Sequence, residues 1–563
     1  MTSIPAKIQN RLHLSLQRWS NNRQVYRLAR QVNASSPLHG IAKSEADARL
    51  PKPVALFNAS TRLTGISLNA AFSLLASLGL QMAGIPVVRF ACQAGMSRCV
   101  LGTDRNDPSK PPPCQPCIAQ SSWLYSDAPV IPFIYKHTQH LMDALQDLSL
   151  EQLGEFEYLP PGLPGAEPPV DKVPSPVPLG RLVIPSIRWV LRRHHLPDEE
   201  PTRFLLREYI LSAYRVAQEF SAFLDTVDPQ AVIVFNGQFF PEATARWLSI
   251  QRGIRTVTHE VGLLPFSAFF TTGEATAYPL HVPEDFELDE SQNKRLDEYL
   301  SQRFQGQFSM AGIHFWSEMK GLDESFLQRA ASFKQIVPVF TNVIFDTSQP
   351  HSNVIFPHMF AWLDLVLEFA RQHPDTFFVL RAHPDEARPG KASQESVSQW
   401  VKQNQADSLA NLIFVDSQQS LSSYELIHRS KFVMIYNSTI GLEASILGTP
   451  VLCAGRARFT QLSTVFFPTT SQQYRQQAED FLEAEKIQVP PEFKRNARRF
   501  LYYQLFRSSL PLGDFLQEDG IWPGFVKLRD FPAQKLTPSV SPAIKAILDG
   551  VLHNGDFLLE TDL

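Results

Sequence analysis

The 563-residue chain contains no Walker A loop, no His-Glu-x-x-His pair and no Gly-x-Ser-x-Gly elbow. P-loop nucleotide hydrolysis, zincin-type proteolysis and α/β-hydrolase chemistry are therefore set aside. Positive charge is not in excess: 52 Lys and Arg stand against 56 Asp and Glu, a net charge of −4. No nucleic-acid partner is expected, because such a footprint is clearly basic. Five cysteines in this length make no disulfide framework. The N-terminal stretch lacks the apolar run of a secretory signal, so a cytoplasmic location is expected. Charge is missing altogether between Arg62 and Arg89. Asn69, Gln81 and the turn Gly84-Ile85-Pro86 interrupt that stretch, which reads as a buried helix followed by a strand rather than a membrane span.

What is present centres on Lys431 to Gly455, KFVMIYNSTIGLEASILGTPVLCAG. Phe432 to Tyr436 is apolar and aromatic and reads as a buried parallel strand. Asn437-Ser438-Thr439 breaks it with residues that favour turns and helix N-caps. Ile440 to Leu447 then reads as a helix closed by Gly448, and Val451 to Cys453 as the next strand. Such a unit belongs to a doubly wound sheet, whose ligands sit outside the carboxyl ends of the strands. Its turn supplies hydroxyls, free N–H groups and a helix dipole, which together suit a phosphate. Gly441 lets a ligand approach the backbone, and Glu443 stands where a carboxylate can meet ribose or sugar hydroxyls.

The same pattern recurs along the chain. Residues 1–50 form a basic arm carrying Lys7, Arg11, Arg18, Arg23, Arg27 and Arg30 with no acidic residue before Glu45. It reads either as a peripheral contact with an anionic membrane or as a helix packed on the body. Residues 51–278 read as one Rossmann-like domain, with strands Val54–Asn58, Pro86–Phe90, Ala231–Phe235 and Arg255–His259. Cys92, Cys99, Cys114 and Cys117 within it are spaced C-x6-C-x14-C-x2-C. Four clustered thiols without a secretory signal suit a structural zinc site, with buried free or paired thiols as the alternative. The Pro- and Gly-rich stretch from Leu159 to Pro178 reads as a surface excursion. Residues 279–330 read as an interdomain connection. Residues 331–563 read as a second Rossmann-like domain with a helical tail, its strands ending at Thr341-Asn342, at Arg381-Ala382-His383-Pro384-Asp385-Glu386 and at Asp416. Arg381 and His383 at a strand end can hold a phosphate by charge-assisted hydrogen bonds. Ser422 to Glu425 has capping-box spacing. The expected fold is thus α/β, two Rossmann-like domains facing across a cleft.

Taken as an ordered set, Thr341-Asn342 to Asp346, Arg381 to Glu386, Ser422-Ser423-Tyr424 and Tyr436-Asn437-Ser438-Thr439-x-Gly441-x-Glu443 resemble bacterial capsule polysaccharide biosynthesis proteins. These include glycosyltransferases of the Kdo-transferase kind; a more distant similarity is to bacterial sialyltransferases with a His-Pro motif. The resemblance spans roughly residues 225 to 465 and implies a GT-B fold. It implies a nucleotide-sugar donor on the second domain, CMP-linked in preference to UDP or GDP, and a polysaccharide or glycolipid acceptor on the first. Carried over by position, Asn342, Arg381, His383, Ser438, Thr439, Gly441 and Glu443 form the donor site. His383 and Glu260 are the expected catalytic pair, Glu260 deprotonating the acceptor if the reaction inverts. Chemistry without a catalytic metal is expected. Two other readings stay open: a polyol-phosphate transferase of the teichoic-acid type, and a non-catalytic sugar- or nucleotide-binding partner of polysaccharide assembly.

Overall fold

The computed structural model describes residues 4–39, 50–59, 65–158, 176–304, 309–310, 313–314, 321–388, 390–522 and 524–560. Most of the excursion from Leu159 to Pro178 and part of the expected connection lie outside these residues. Helix α1 (Ile4–Ser35) opens the chain. Its inner face is Val25, Leu28, Ala29 and Val32, buried in the first core, whereas Trp19 and Tyr26 stay exposed. Arg27 pairs with Asp530, Arg18 lies over Trp522 and Arg23 over Trp19 of the same helix. Among the described residues no helix is long and apolar enough to cross a membrane.

The first sheet is built from β1 (Val54–Asn58), β2 (Val87–Cys92), β3 (Val130–Phe133), β4 (Ala231–Phe235), β5 (Arg255–Val261) and β6 (Ser267–Thr271). Their spatial order is β6-β5-β4-β1-β2-β3, parallel except for β6. The uncharged stretch forms α2 (Leu68–Met82), 13 of whose residues are buried under this sheet, as its composition predicts. Arg89 of β2 is wholly buried. Its guanidinium makes two 2.9 Å bonds to Asp127 and a third to Asn58 at the end of β1, which a buried cation requires.

The second sheet is wholly parallel: β7 (Gln335–Phe340), β8 (Thr376–Arg381), β9 (Leu412–Val415), β10 (Val433–Ile435) and β11 (Val451–Cys453). Their order is β9-β8-β7-β10-β11. Strands buried on both faces read as unbroken apolar runs, which is why they were visible in the sequence. The turn after β10 leads into the helix Ile440–Leu447, which stops at Gly448 with φ +87°. Both sheets reverse strand order beside their first strand, the doubly wound arrangement of two Rossmann-like domains.

The chain's tail requires a correction. Residues expected to end the second domain return to the first: Leu510–Pro511 pairs antiparallel with β6, and the helix Pro542–Leu552 packs on α2. Leu512, Phe515, Ile544, Ile547 and Leu559 complete the first domain's core. Apolar burial against α2, not sequence proximity, decides the domain to which the tail belongs.

Candidate active site

Both switch points carry cavities. In the second domain, the ends of β7 and β10 face each other, and the Asn342 amide donates to Asn437 Oδ1 at 2.6 Å. Asn437 in turn donates to Ser352 Oγ at 2.6 Å, which ties three loops into one floor. Above it lies a cavity of about 590 Å³ lined by Asn342, Asp346, His383, Ser438, Thr439, Arg456 and Arg458, with Thr276, Ala277 and Pro279 from the first domain. The Thr439 hydroxyl makes no capping bond to its own helix. His383 Nδ1 accepts the Asp385 N–H at 3.2 Å, so the neutral ring carries its proton on Nε2. Burial lowers the His383 pKa against the opposing pull of Asp385 and Asp346, which favours that neutral donor form.

Four expected donor residues, Asn342, His383, Ser438 and Thr439, line this cavity; three others do not. Arg381 is buried and gives its guanidinium to the Leu421 carbonyl, and burial lowers its pKa to about 10. Glu443 is turned to Arg303, whose Nε donates at 2.6 Å, and to the Tyr424 hydroxyl. A Cβ at Gly441 would stand 2.3 Å from Ile435 Cδ1, so this glycine serves helix–strand packing. The cations that line the cavity instead are Arg456 and Arg458, directly after β11, with Arg458 4.0 Å over the Tyr278 ring. Gly455-Arg456-Ala457-Arg458 following a predicted strand was the sequence signal for them. His351 adds a bridge to the first domain through Glu274 at 3.0 Å and Thr276 at 2.9 Å.

The first domain's switch point, between β1 and β4, holds a second cavity of about 500 Å³. Asn58, Asn69, Asn236, His259 and Glu260 line it, with Trp189, Phe235 and Phe239, and Thr347, Arg388 and Lys391 reach in from the second domain. Glu260 accepts from Asn69 at 2.9 Å, Asn236 at 2.8 Å and the Val261 N–H at 3.0 Å. Asn236 reaches it from a left-handed φ of +59°, a conformation asparagine tolerates. Burial raises the Glu260 pKa; the two amides oppose it, and Asp346 adds to it. The Asp346 carboxylate, which lines the second-domain cavity, acts electrostatically on both Glu260 and His383. His259 is buried with a pKa lowered to about 3, and its Nδ1 has no hydrogen-bond partner among the described residues.

The four cysteines converge away from the cleft. Cys92, Cys99, Cys114 and Cys117 line a separate cavity of about 30 Å³. Burial pushes Cys99 up to about 12 and Cys117 to about 11. Among the described residues no group of three or more His, Cys, Asp or Glu side chains is positioned to hold a metal ion.

Residues 317–465 match the model of the family described as capsule polysaccharide biosynthesis protein. The second domain resembles that family. The match takes in β7 to β11 and every lining residue named from Asn342 to Arg458. No curated protein matches the chain. Among solved structures, the beta Kdo 2,4 transferase of Thermosulfurimonas dismutans KpsC is 8% identical with TM-score 0.33, covering 50% of this chain and 80% of that one. The beta Kdo 2,7 transferase of the same KpsC is 14% identical with TM-score 0.32, covering 56% and 86%. UDP-GlcNAc 2-epimerase from Neisseria meningitidis, bound to UDP-GlcNAc, is 12% identical with TM-score 0.22, covering 81% and 99%. The fold assignment stands on the strand order and register given above rather than on these superpositions.

Proposed function

We propose that the protein is a glycosyltransferase of capsule or surface polysaccharide assembly, taking a nucleotide-activated sugar in the second-domain cavity and its acceptor in the first. The observation that carries this reading is the pair of switch-point cavities, one lined by Asp346, His383, Ser438, Thr439, Arg456 and Arg458, the other holding the half-buried Glu260 carboxylate and bordered by the adjacent Thr347. Breaking a sugar–phosphate bond builds negative charge on the leaving phosphate. Arg456, Arg458, the His383 Nε2–H and the N–H groups following Ser438 and Thr439 can take up that charge. Glu260, with its pKa raised by burial, is suited to accept the proton of an acceptor hydroxyl. Asn69, Asn236 and the aromatic walls suit a saccharide acceptor. The CMP-sugar preference rests on the family resemblance, with UDP- and GDP-sugars as its competitors.

Calorimetry with CMP-, UDP- and GDP-sugars, paired with transfer assays, tests the division of labour. His383→Ala and Arg458→Ala should each weaken nucleotide binding about ten- to a hundredfold, the loss of a charge-assisted contact of about 1.5–3 kcal/mol. Glu260→Gln should leave that affinity nearly intact while transfer falls about 10²- to 10⁴-fold. Unchanged binding in both cavity variants would move the donor site elsewhere. Full transfer by Glu260→Gln would remove it as base. Binding without turnover on any acceptor would favour the non-catalytic reading, and transfer of a polyol phosphate the teichoic-acid one.

A further inference from the structure

The cysteine cavity takes no part in the cleft chemistry, yet three separate pieces of chain build it. Cys92 is the last residue of β2, and Cys99 lies in the loop that follows. Cys114 and Cys117 open the helix Cys114–Leu124, one turn apart on the same side. The walls are otherwise apolar: Ala59, Met96, Val100, Ile118 and Pro241. If the thiols were only core filler, their sulfurs would need no donors, because a neutral thiol is a weak acceptor. Here the chain after β2 aims a backbone N–H group at sulfur. Cys92 Sγ accepts from Gly95 three residues on, at 3.3 Å. In the Cys99 loop the Gly102 N–H donates to the Cys99 carbonyl at 3.2 Å, and the Leu101 and Gly102 N–H groups oppose the rise of the Cys99 pKa caused by burial. This loop closes tightly only because position 102 has no side chain: a Cβ there would stand 2.9 Å from Cys99 Sγ and 2.7 Å from Pro112. N–H groups directed at sulfur are the outer-shell support that a metal-bound thiolate requires.

We infer that Cys92, Cys99, Cys114 and Cys117 bind a single structural zinc ion. An all-thiolate set of four is a tetrahedral site for zinc or for iron–sulfur chemistry. A cavity of about 30 Å³ has room for one ion and not for a multi-iron cluster. The four cysteines line this space without standing as a metal-holding group, so binding includes a side-chain rearrangement. On binding, four S–H groups release their protons to solvent as four Zn–S bonds form. The consequence for the cleft runs through Leu101, which lines both this cavity and the Glu260 cavity. The ion would pin the end of β2 and the Cys99 loop to the helix Cys114–Leu124, and so fix one wall of the proposed acceptor pocket.

The test is elemental analysis of the full-length, untagged chain purified without chelator, which should show near-stoichiometric zinc. Replacing that zinc with cobalt should give the thiolate-to-cobalt charge-transfer absorption of a tetrahedral sulfur site, a readout that needs no variant. Cys99→Ala and Cys114→Ala should each lose the ion and melt at lower temperature. Wild-type protein free of metal, with all four thiols titrating under native conditions, would overturn the assignment. Zinc retained at full stoichiometry in the cysteine variants would place the ion elsewhere. An iron–sulfur spectrum in anaerobically purified protein would overturn zinc as the occupant.

Discussion

Glu386 lies three residues beyond His383 in the short helix Pro384–Ala387, buried, with Oε1 accepting the Val397 N–H at 2.7 Å. Burial, with a smaller push from Asp416, raises its pKa from 4.5 to about 7. The fold therefore favours the neutral acid. The stability this provides is fully present below pH 4.5 and is lost as pH rises through about 7. At 1.36 kcal/mol per unit the loss amounts to about 3 kcal/mol. Glu386→Gln keeps the bond to Val397 and removes the titration. Denaturant midpoints should show the variant gaining on wild type above neutral pH and matching it in acid. Arg381 and Arg458 show how residue identity can mislead. Arg381 closes a predicted strand but spends its guanidinium on the Leu421 carbonyl; Arg458 lies in a loop and edges the cavity. Only the direction each side chain takes separates them, and that direction is set by neighbours distant in sequence.

The unit from β10 through the helix Ile440–Leu447 to β11 was legible from local pattern: an apolar strand, a polar break and a left-handed glycine stop. Its internal packing was not. Gly441 reads as room for a ligand, whereas a side chain there would meet Ile435 at 2.3 Å and Phe459 at 3.3 Å. Gly441→Ala should destabilise the protein by about 1–3 kcal/mol through overpacking. Ile435→Val in the same chain should restore part of that loss, measured as the shift in denaturant midpoint. If nucleotide affinity fell while stability held, the ligand-approach reading would be right after all. The Ser422 helix shows the same division between local and distant partners. Ser422 caps Glu425 N–H at 3.2 Å, but the Glu425 carboxylate, instead of returning to close a capping box, accepts Leu322 N–H at 2.9 Å.

At the scale of the molecule, the two domains meet again away from the cleft, at a histidine cluster. His358 Nδ1 accepts Ala361 N–H at 3.2 Å, so its Nε2–H donates to His195 Nε2 at 3.2 Å, and His195 Nδ1–H is bound to Glu395. Glu395 also holds the N–H groups of His194 and His195 at 2.9 and 3.0 Å. Arg188, Asp364 and Glu395 are the charged groups acting on this cluster. Burial lowers the His358 pKa, and lowers that of His194 from 6.5 to about 3. The stability these neutral rings provide is present above pH 6.5 and is lost as pH falls toward about 3. Acidification should therefore loosen domain docking, seen as a rising radius of gyration in solution scattering and faster limited proteolysis. His358→Gln should blunt that response; an unchanged acid response in this variant would assign it to other groups.

Strand and helix placement in both domains followed from sequence because apolar runs, caps and breakers act within a few residues of one another. The same locality placed His383, Ser438, Thr439 and Asn342 at strand ends, where a doubly wound sheet opens its crevice. Three matters waited for the tertiary structure. Glu443 went to Arg303 on a helix 140 positions earlier, Arg456 and Arg458 came to line the cavity, and the tail from Leu510 crossed back to the first sheet. Each is settled by burial or pairing between residues far apart in the chain. A buried carboxylate takes the cation that tertiary packing brings to it, and an apolar tail takes the uncovered helix it can reach.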